Sequence, residues 1–320
     1  MAVYHLKLFL LLVVFLTTTI LFSQQYTNPN NQDEELGKVA WLRDYDVAIA
    51  LSKKQNKPIF ILFQEVPGCL TCRNYGNNVL SNPLMVETIE NEFIPLAIFN
   101  NKGGDDAKIL KKYKEPSWNN PVVRIIDAEG KNLIKRVSSN YFAKFLYDAM
   151  IFALNIYGNQ IPSYTKLLGI ELSSTKVKKR TYQMYCFWTG EKELGNQNGV
   201  LTTKAGFQQG AEVVQLSYNP NVISKQKLDK IAIARKMKPV HNGNFKWSEK
   251  DEDYYIQHSK YASIPLSSLQ RTKINSALGN GKNPEIYLSP SQIKWLKNTD
   301  KNIRFDKNFK TEWYKLASKK

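Results

Sequence analysis

Cysteine is scarce in this 320-residue chain, which has only Cys69, Cys72 and Cys186. Structural disulfides consume thiols in pairs, so an odd count leaves one sulfur unpaired or shared. Two thiols spaced C-x-x-C, with a third far along the chain, fit a relay of two-electron chemistry. They do not fit a disulfide-stapled mini-protein. Long apolar runs are also lacking beyond the first two dozen residues, so the mature chain is expected to be soluble, with no membrane association after cleavage. The one such run, Leu8 to Phe22, is softened by Thr17, Thr18 and Thr19 and follows a short basic start with His5 and Lys7. It is short for a span, which needs roughly 20 apolar residues. Ser23 offers a small cleavage residue before Gln24 and Gln25. Residues 1–23 therefore read as a secretory signal, and a secreted or periplasmic location is expected. A retained N-terminal anchor is the rival reading. No cysteine stands at the cleavage point, which argues against a lipoprotein, and no internal repeat is visible.

Acidic residues are in deficit: 28 against 45 basic ones, for a formal net charge of +17. Nucleic acid is the obvious partner to consider. Export argues against it, and the lysines are scattered rather than gathered on one recognition element, so no nucleic-acid partner is expected. A hydrophobic share of 42% is enough to bury a real core, which excludes whole-chain disorder. The length accommodates two ordinary domains.

Residues 24–37, rich in Asn and Gln, read as a linker, and the first domain is expected over 38–157. Apolar residues at Trp41, Tyr45, Ala48 and Leu51 make a helical stripe. Ile59 to Phe63 reads as a buried strand, the Pro67-Gly68 turn leads into Cys69, and a helix should follow. Asn82-Pro83 reads as N-cap and first residue of another helix. A strand over Phe93 to Phe99, a helix over Asp105 to Tyr113 and a strand over Val122 to Ile126 come next. Asp127 to Gly130 reads as a hairpin turn before a returning strand, Leu133 to Val137, and a helix over Asn140 to Leu154. This order gives an α/β domain with a mixed sheet flanked by helices. Residues 157–178 carry no strong period and take the domain boundary. The second domain, 178–298, reads as α+β. It has strands at Thr181 to Tyr185, Gly199 to Ala205 and Ala211 to Tyr218, and helices after Cys186, after Ser224, over Leu266 to Leu278 and after Ser289-Pro290. Residues 237–262 read as irregular, and 299–320 as a basic C-terminal tail or solvated helix.

Gly68-Cys69-Leu70-Thr71-Cys72 lies between a buried strand and a helix. A sulfur at a helix N-terminus is held as thiolate by unpaired amides and the helix dipole, and the second thiol one turn along can close a disulfide. A zinc site is a weaker rival, because no second Cys pair or nearby His supplies further ligands. A purely structural bridge is the stronger rival, although so short a loop constrains little chain entropy. The layout from Leu36 to Tyr157 resembles the thioredoxin superfamily. That resemblance implies a proline in cis facing the cysteines, and Pro121, in Trp118-Asn119-Asn120-Pro121-Val122, falls at the matching place. Gly68 stands where the family has Trp before the first Cys, and Thr71 replaces the frequent Pro.

Cys186-Phe187-Trp188 sits at a second strand-to-helix junction, so the same electrostatics make Cys186 a candidate reactive thiol. Phe187 and Trp188 offer apolar pocket walls. Alone, such a Cys is more often a packed core residue. The stretch resembles the A-type peptide methionine sulfoxide reductases, with Gly199-Val200, Ala205-Gly206, Ala211-Glu212-Val213-Val214 and Tyr218-Asn219-Pro220 following in order. The resemblance implies that Cys186 attacks the sulfoxide sulfur and that a nearby Glu protonates the oxygen. Glu212 is the better match and Glu191 the other place to look. An acid in an apolar pocket is what a poor leaving group needs. Tyr185 replaces the family's Gly, and Phe207 replaces a substrate-facing Tyr. Asp253-Tyr254-Tyr255 and Tyr261 are the remaining sources of such a hydroxyl. No Cys follows Cys186 to act as resolving thiol. The expected function is thus an exported oxidoreductase that reduces methionine sulfoxide in a peptide or protein and uses no cofactor and no metal. Cys69 and Cys72 would re-reduce Cys186, and an external thiol donor would re-reduce the pair. The alternative is a general thiol–disulfide oxidoreductase whose second domain only binds partners.

Overall fold

The computed structural model describes residues 26–118, 121–241, 243–298 and 308–318. The signal sequence expected over 1–23 lies outside the described residues. The chain divides into two compact units, residues 1–161 and 162–320.

In the first unit, the helical stripe begins later than its apolar spacing implies. Asp44 caps α1 (Tyr45–Gln55) by accepting from the Val47 amide. Trp41 lies before the helix, fully buried against Phe60. The apolar run becomes β1 (Ile59–Gln64), and α2 (Leu70–Asn78) carries the Cys pair at its start. Helix α3 (Pro83–Glu92) opens as read, with the Asn82 side chain accepting from Met85 N. After it come β2 (Ile94–Phe99), α4 (Gly104–Tyr113), β3 (Val122–Ile126) and α5 (Ala143–Tyr157). The sheet order is β2-β1-β3, with β1 parallel to β2 and antiparallel to β3. The mixed sheet flanked by helices is therefore present.

Two expectations for this unit need correction. The segment expected as a linker is part of the fold. Glu34–Leu36 forms a 3-10 turn, Glu35 and Leu36 are buried, and Tyr26 bridges to Leu42. Polar composition hid this, because the contact depends on a distant glycine. A Cβ on Gly76 of α2 would fall 1.9 Å from the Glu34 carbonyl oxygen, so only glycine lets the turn lie there. The returning strand at Leu133 to Val137 is reduced to isolated bridges, Val123 to Val137 and Ile126 to Asn132. Arg136 is instead drawn to Glu115, a buried carboxylate that also holds Arg124 at 2.6 Å.

The second unit opens with a helix, α6 (Ser163–Ser173), inside the segment expected as a boundary. Tyr164, Thr165, Leu167 and Leu168 bury one side of it. Next come β4 (Lys178–Gln183), α7 (Phe187–Gly195), β5 (Val200–Gln208), β6 (Ala211–Tyr218), α8 (Lys225–Ala234), β7 (Lys238–Val240) and β8 (Lys246–Trp247). They form an antiparallel sheet of order β7-β4-β6-β5-β8. A short helix, α9 (Tyr254–Gln257), precedes α10 (Ser268–Gly279), which starts with a full capping box of Ser267 and Gln270. Ser289 accepts from Gln292 N at the start of α11 (Pro290–Asn298). The segment expected as a tail or solvated helix does contain a helix, α12 (Phe309–Ala317), but one with a buried face. Its Trp313 is buried edge-on against Trp295, 4.6 Å between ring centroids. Lysine-rich flanks masked that apolar face. Among the described residues, no helix is long and apolar enough to cross a membrane.

Candidate functional site

Cys69 is the N-cap of α2 and is exposed, whereas Cys72 is fully buried one turn on. Neither is in a disulfide, and their sulfurs are 3.4 Å apart. Hydrogen bonding from the Cys72 backbone amide, at the open end of the helix, is the largest influence on Cys69 and lowers its thiol below the ordinary value. Cys72 is pushed up to about 12, chiefly by burial, then by its hydrogen bond to Cys69 and by the charge of Cys69. The exposed thiol is thus biased toward its thiolate, while the buried one is held protonated.

The residue before the pair is glycine for a steric reason. A Cβ on Gly68 would lie 2.3 Å from the Glu65 carbonyl oxygen, 2.8 Å from Cys72 Cβ and 3.2 Å from its Sγ. The Gly68 amide donates to Glu35 Oε1 at 2.7 Å, and Gln64 Nε2 donates to the Glu35 carbonyl at 2.9 Å. Glu35 was missed in the sequence because it lies in the presumed linker. Glu65 was missed too: its carboxylate and the two sulfurs all lie within 4.8 Å of one another. A turn between Glu65 and Cys69 was the available signal. Pro121 is buried at the start of β3, and the pairing of Val122 with Phe63 brings it to the end of β1 from which the Cys69 loop departs. The bond expected to be cis involves Asn120, which lies outside the described residues.

In the second unit Cys186, partly exposed, is the N-cap of α7. Glu212 pairs with Phe207 in the β5–β6 register, and its main-chain carbonyl accepts from Met184 at 3.1 Å. Its carboxylate is thereby delivered to the helix start, where Oε2 accepts from the Phe187 amide at 2.9 Å. Phe187 meets Phe207 edge-on at 5.7 Å. Trp188 is not simply a free wall, because Tyr254 stacks on it at 3.8 Å. Tyr255 packs edge-on to Tyr254 at 5.4 Å. Burial, and then the charge of Cys186, push its hydroxyl up. The hydroxyl of Tyr261 donates to Glu285 instead, at 3.3 Å.

Glu191 occupies a different place from Glu212. It is fully buried and accepts from Asp253 N at 3.1 Å and from Asn275 Nδ2 at 3.3 Å. Burial, and next the charge of Asp253, holds its carboxyl well above the usual range. Asp253 is held in turn by Arg271 at 2.7 Å. Lys273 caps the far end of α7, donating to the carbonyls of Gly195 and Gln197 at 2.8 and 2.9 Å. Sequence spacing carried no signal for Asn275, Arg271 or Lys273, which reach Glu191, Asp253 and the far end of α7 from α10.

Residues 40–128 match the thioredoxin-like family, so this part of the chain is a thioredoxin-like domain. Solved structures also show similarity, among them a DsbH oxidoreductase. That structure is 19% identical over 38% of this chain and 86% of its own, with a TM-score of 0.32. No curated protein matches the chain.

Proposed function

We propose that the chain is a thiol–disulfide oxidoreductase whose working pair is Cys69 and Cys72. The observation that carries this reading is the asymmetry of two reduced sulfurs 3.4 Å apart, one exposed at a helix start and one buried. The Cys69 thiolate attacks one sulfur of a substrate disulfide. A mixed disulfide forms and the other sulfur leaves as thiolate to take up a proton. Two of the influences that hold Cys72 protonated, the hydrogen bond to Cys69 and the Cys69 charge, are then gone. Cys72 ionises more readily, attacks Cys69 Sγ, and releases the reduced substrate. The pair finishes oxidised and is reset by an external thiol donor. The test is insulin reduction by the full chain. Cys69→Ser is expected to abolish it and Cys72→Ser to accumulate a mixed disulfide. Undiminished turnover by Cys69→Ser would overturn the assignment.

A second reading concerns Cys186 and rests on the Glu212 carboxylate beside it, with Phe187, Phe207 and the Trp188–Tyr254 stack around them. Cys186 attacks the sulfur of methionine sulfoxide, and Glu212 protonates the oxygen. The S–O bond of the substrate breaks as the oxygen passes to the Cys186 sulfur, so the thioether leaves and Cys186 is left as its sulfenic acid. Cys69 condenses with that sulfenic acid, expelling water, and Cys72 then restores the Cys186 thiol. The lack of any cysteine after Cys186 motivates this relay. On a short flexible tether, fusion would keep the reductant at an effective concentration on the order of mM. Export through residues 1–23 belongs to the same proposal, and N-terminal sequencing of the mature chain tests it. Sulfoxide turnover by Cys186→Ser would remove Cys186 as nucleophile. Turnover by the Cys69→Ser, Cys72→Ser chain with its natural donor would remove the relay. Insulin reduction without sulfoxide turnover leaves the first reading standing alone.

A further inference from the structure

We propose that Glu65, Cys69 and Cys72 form a metal site that takes zinc, or another soft-to-borderline divalent ion, while the pair is reduced. The ligating atoms of all three lie within 4.8 Å of one another, the sulfurs 3.4 Å apart. Tetrahedral zinc with bonds of about 2.3 Å to sulfur separates two thiolates by roughly 3.7 Å. The two sulfurs therefore need only a small rotation to bind it. Closing a disulfide requires about 2.05 Å, a larger displacement in the opposite sense.

Carbonyl and carboxylate sets suit magnesium and calcium, whereas two thiolates select zinc-like ions. The third ligand is supplied by the local fold. Glu65 leaves the end of β1, and the Val66-Pro67-Gly68 turn lays the chain back over its carbonyl, which Gly68 alone permits. Three protein ligands leave the fourth tetrahedral position to water or an outside thiol. With Cys69 exposed and Glu65 partly buried, an ion reaches the site from solvent.

Binding needs both sulfurs as thiolates, so whatever thiol proton is still held is released as the ion enters, and no electrons move. Oxidation of the pair removes two electrons and both thiolate donors together, so it expels the ion. Zinc therefore occupies only the reduced chain and opposes its oxidation. Each tenfold excess of free zinc over Kd raises the midpoint potential by about 30 mV. The site stands on its own geometry, whatever disulfide the pair exchanges with.

The test uses the full chain, with Cys186→Ser as background so that two thiols remain, reduced with a phosphine and kept free of oxygen. Zinc is titrated against a chromophoric chelator, and cobalt is then read by its absorption. The expected result is one equivalent bound, a thiolate-to-cobalt charge-transfer band for two sulfurs, and Cys69 alkylation slowed at least tenfold by zinc. Glu65→Gln is expected to weaken zinc binding at least about tenfold, since even outer-shell losses cost 10–100-fold. Zinc affinity no greater than that of the Cys69→Ser, Cys72→Ser chain overturns the proposal. So does an unchanged affinity in Glu65→Gln with an unchanged melting temperature. If that variant does not fold, absence of the cobalt band in the parent chain overturns it alone.

Discussion

Gly68→Ala tests how tightly the turn before Cys69 is packed. The added methyl would sit 2.3 Å from a backbone oxygen and 2.8 Å from Cys72 Cβ. Backbone cannot rotate away as a side chain does, so either the Glu65 peptide or the first turn of α2 must shift. Overpacking of this kind costs about 1–3 kcal/mol. For a unit of roughly 135 residues that lowers its melting temperature by roughly 4–11 °C. Because Cys72 is one of the two groups struck, the shift also disturbs the pair. The Gly68 amide bond to Glu35 is strained along with it. Calorimetry on reduced wild type and variant gives the first number, and alkylation rates at Cys69 and Cys72 give the second. A variant that melts with the wild type and alkylates at the same two rates would refute this account of why glycine stands here.

Site-resolved alkylation of the wild type against pH should show Cys69 titrating below an ordinary thiol. With a pKa near 12, Cys72 carries roughly a thousandfold less thiolate than an ordinary thiol at neutral pH, so it should stay inert there. Coincident titrations near the ordinary value would contradict the asymmetry. Glu191 carries a raised carboxyl, so the folded chain retains a proton that the unfolded chain loses from the usual carboxylate range upward. Stability therefore falls as pH rises through that window. Glu191→Gln should melt higher than wild type at pH 7, with the gain shrinking toward pH 4. Glu212→Gln keeps an acceptor for the Phe187 amide but loses the proton. In the sulfoxide reading the rate of reduction should fall about 10²–10⁴-fold with little change in stability. Trp313→Ala should cost about 3–5 kcal/mol in urea titration of the second unit, and a neutral result would show α12 to be dispensable.

Local signals carried the sequence reading where structure is local. The apolar run of β1, the Asn82-Pro83 helix start and the Ser224 cap all stand where the residues place them. Both Cys-bearing junctions were legible for the same reason: strand, turn and helix follow within a few residues. What escaped depends on distant partners. Glu34–Leu36 is ordered by Gly76 on α2, the return after Gly130 by the charge of Glu115, and α12 by the indole of Trp295. The Glu191 support was illegible because Asp253, Asn275 and Arg271 lie far along the chain.

The depth at which Cys72 is set also bears on how the pair would meet a peroxide. A peroxide meets Cys69 first, and its first product is a sulfenic acid, still recoverable. With a neighbouring thiol 3.4 Å away, that product condenses to a disulfide before a second peroxide converts it to the irreversible sulfinic form. The shielded sulfur thus acts as insurance for the exposed one: damage is diverted into a state that any thiol donor can repair.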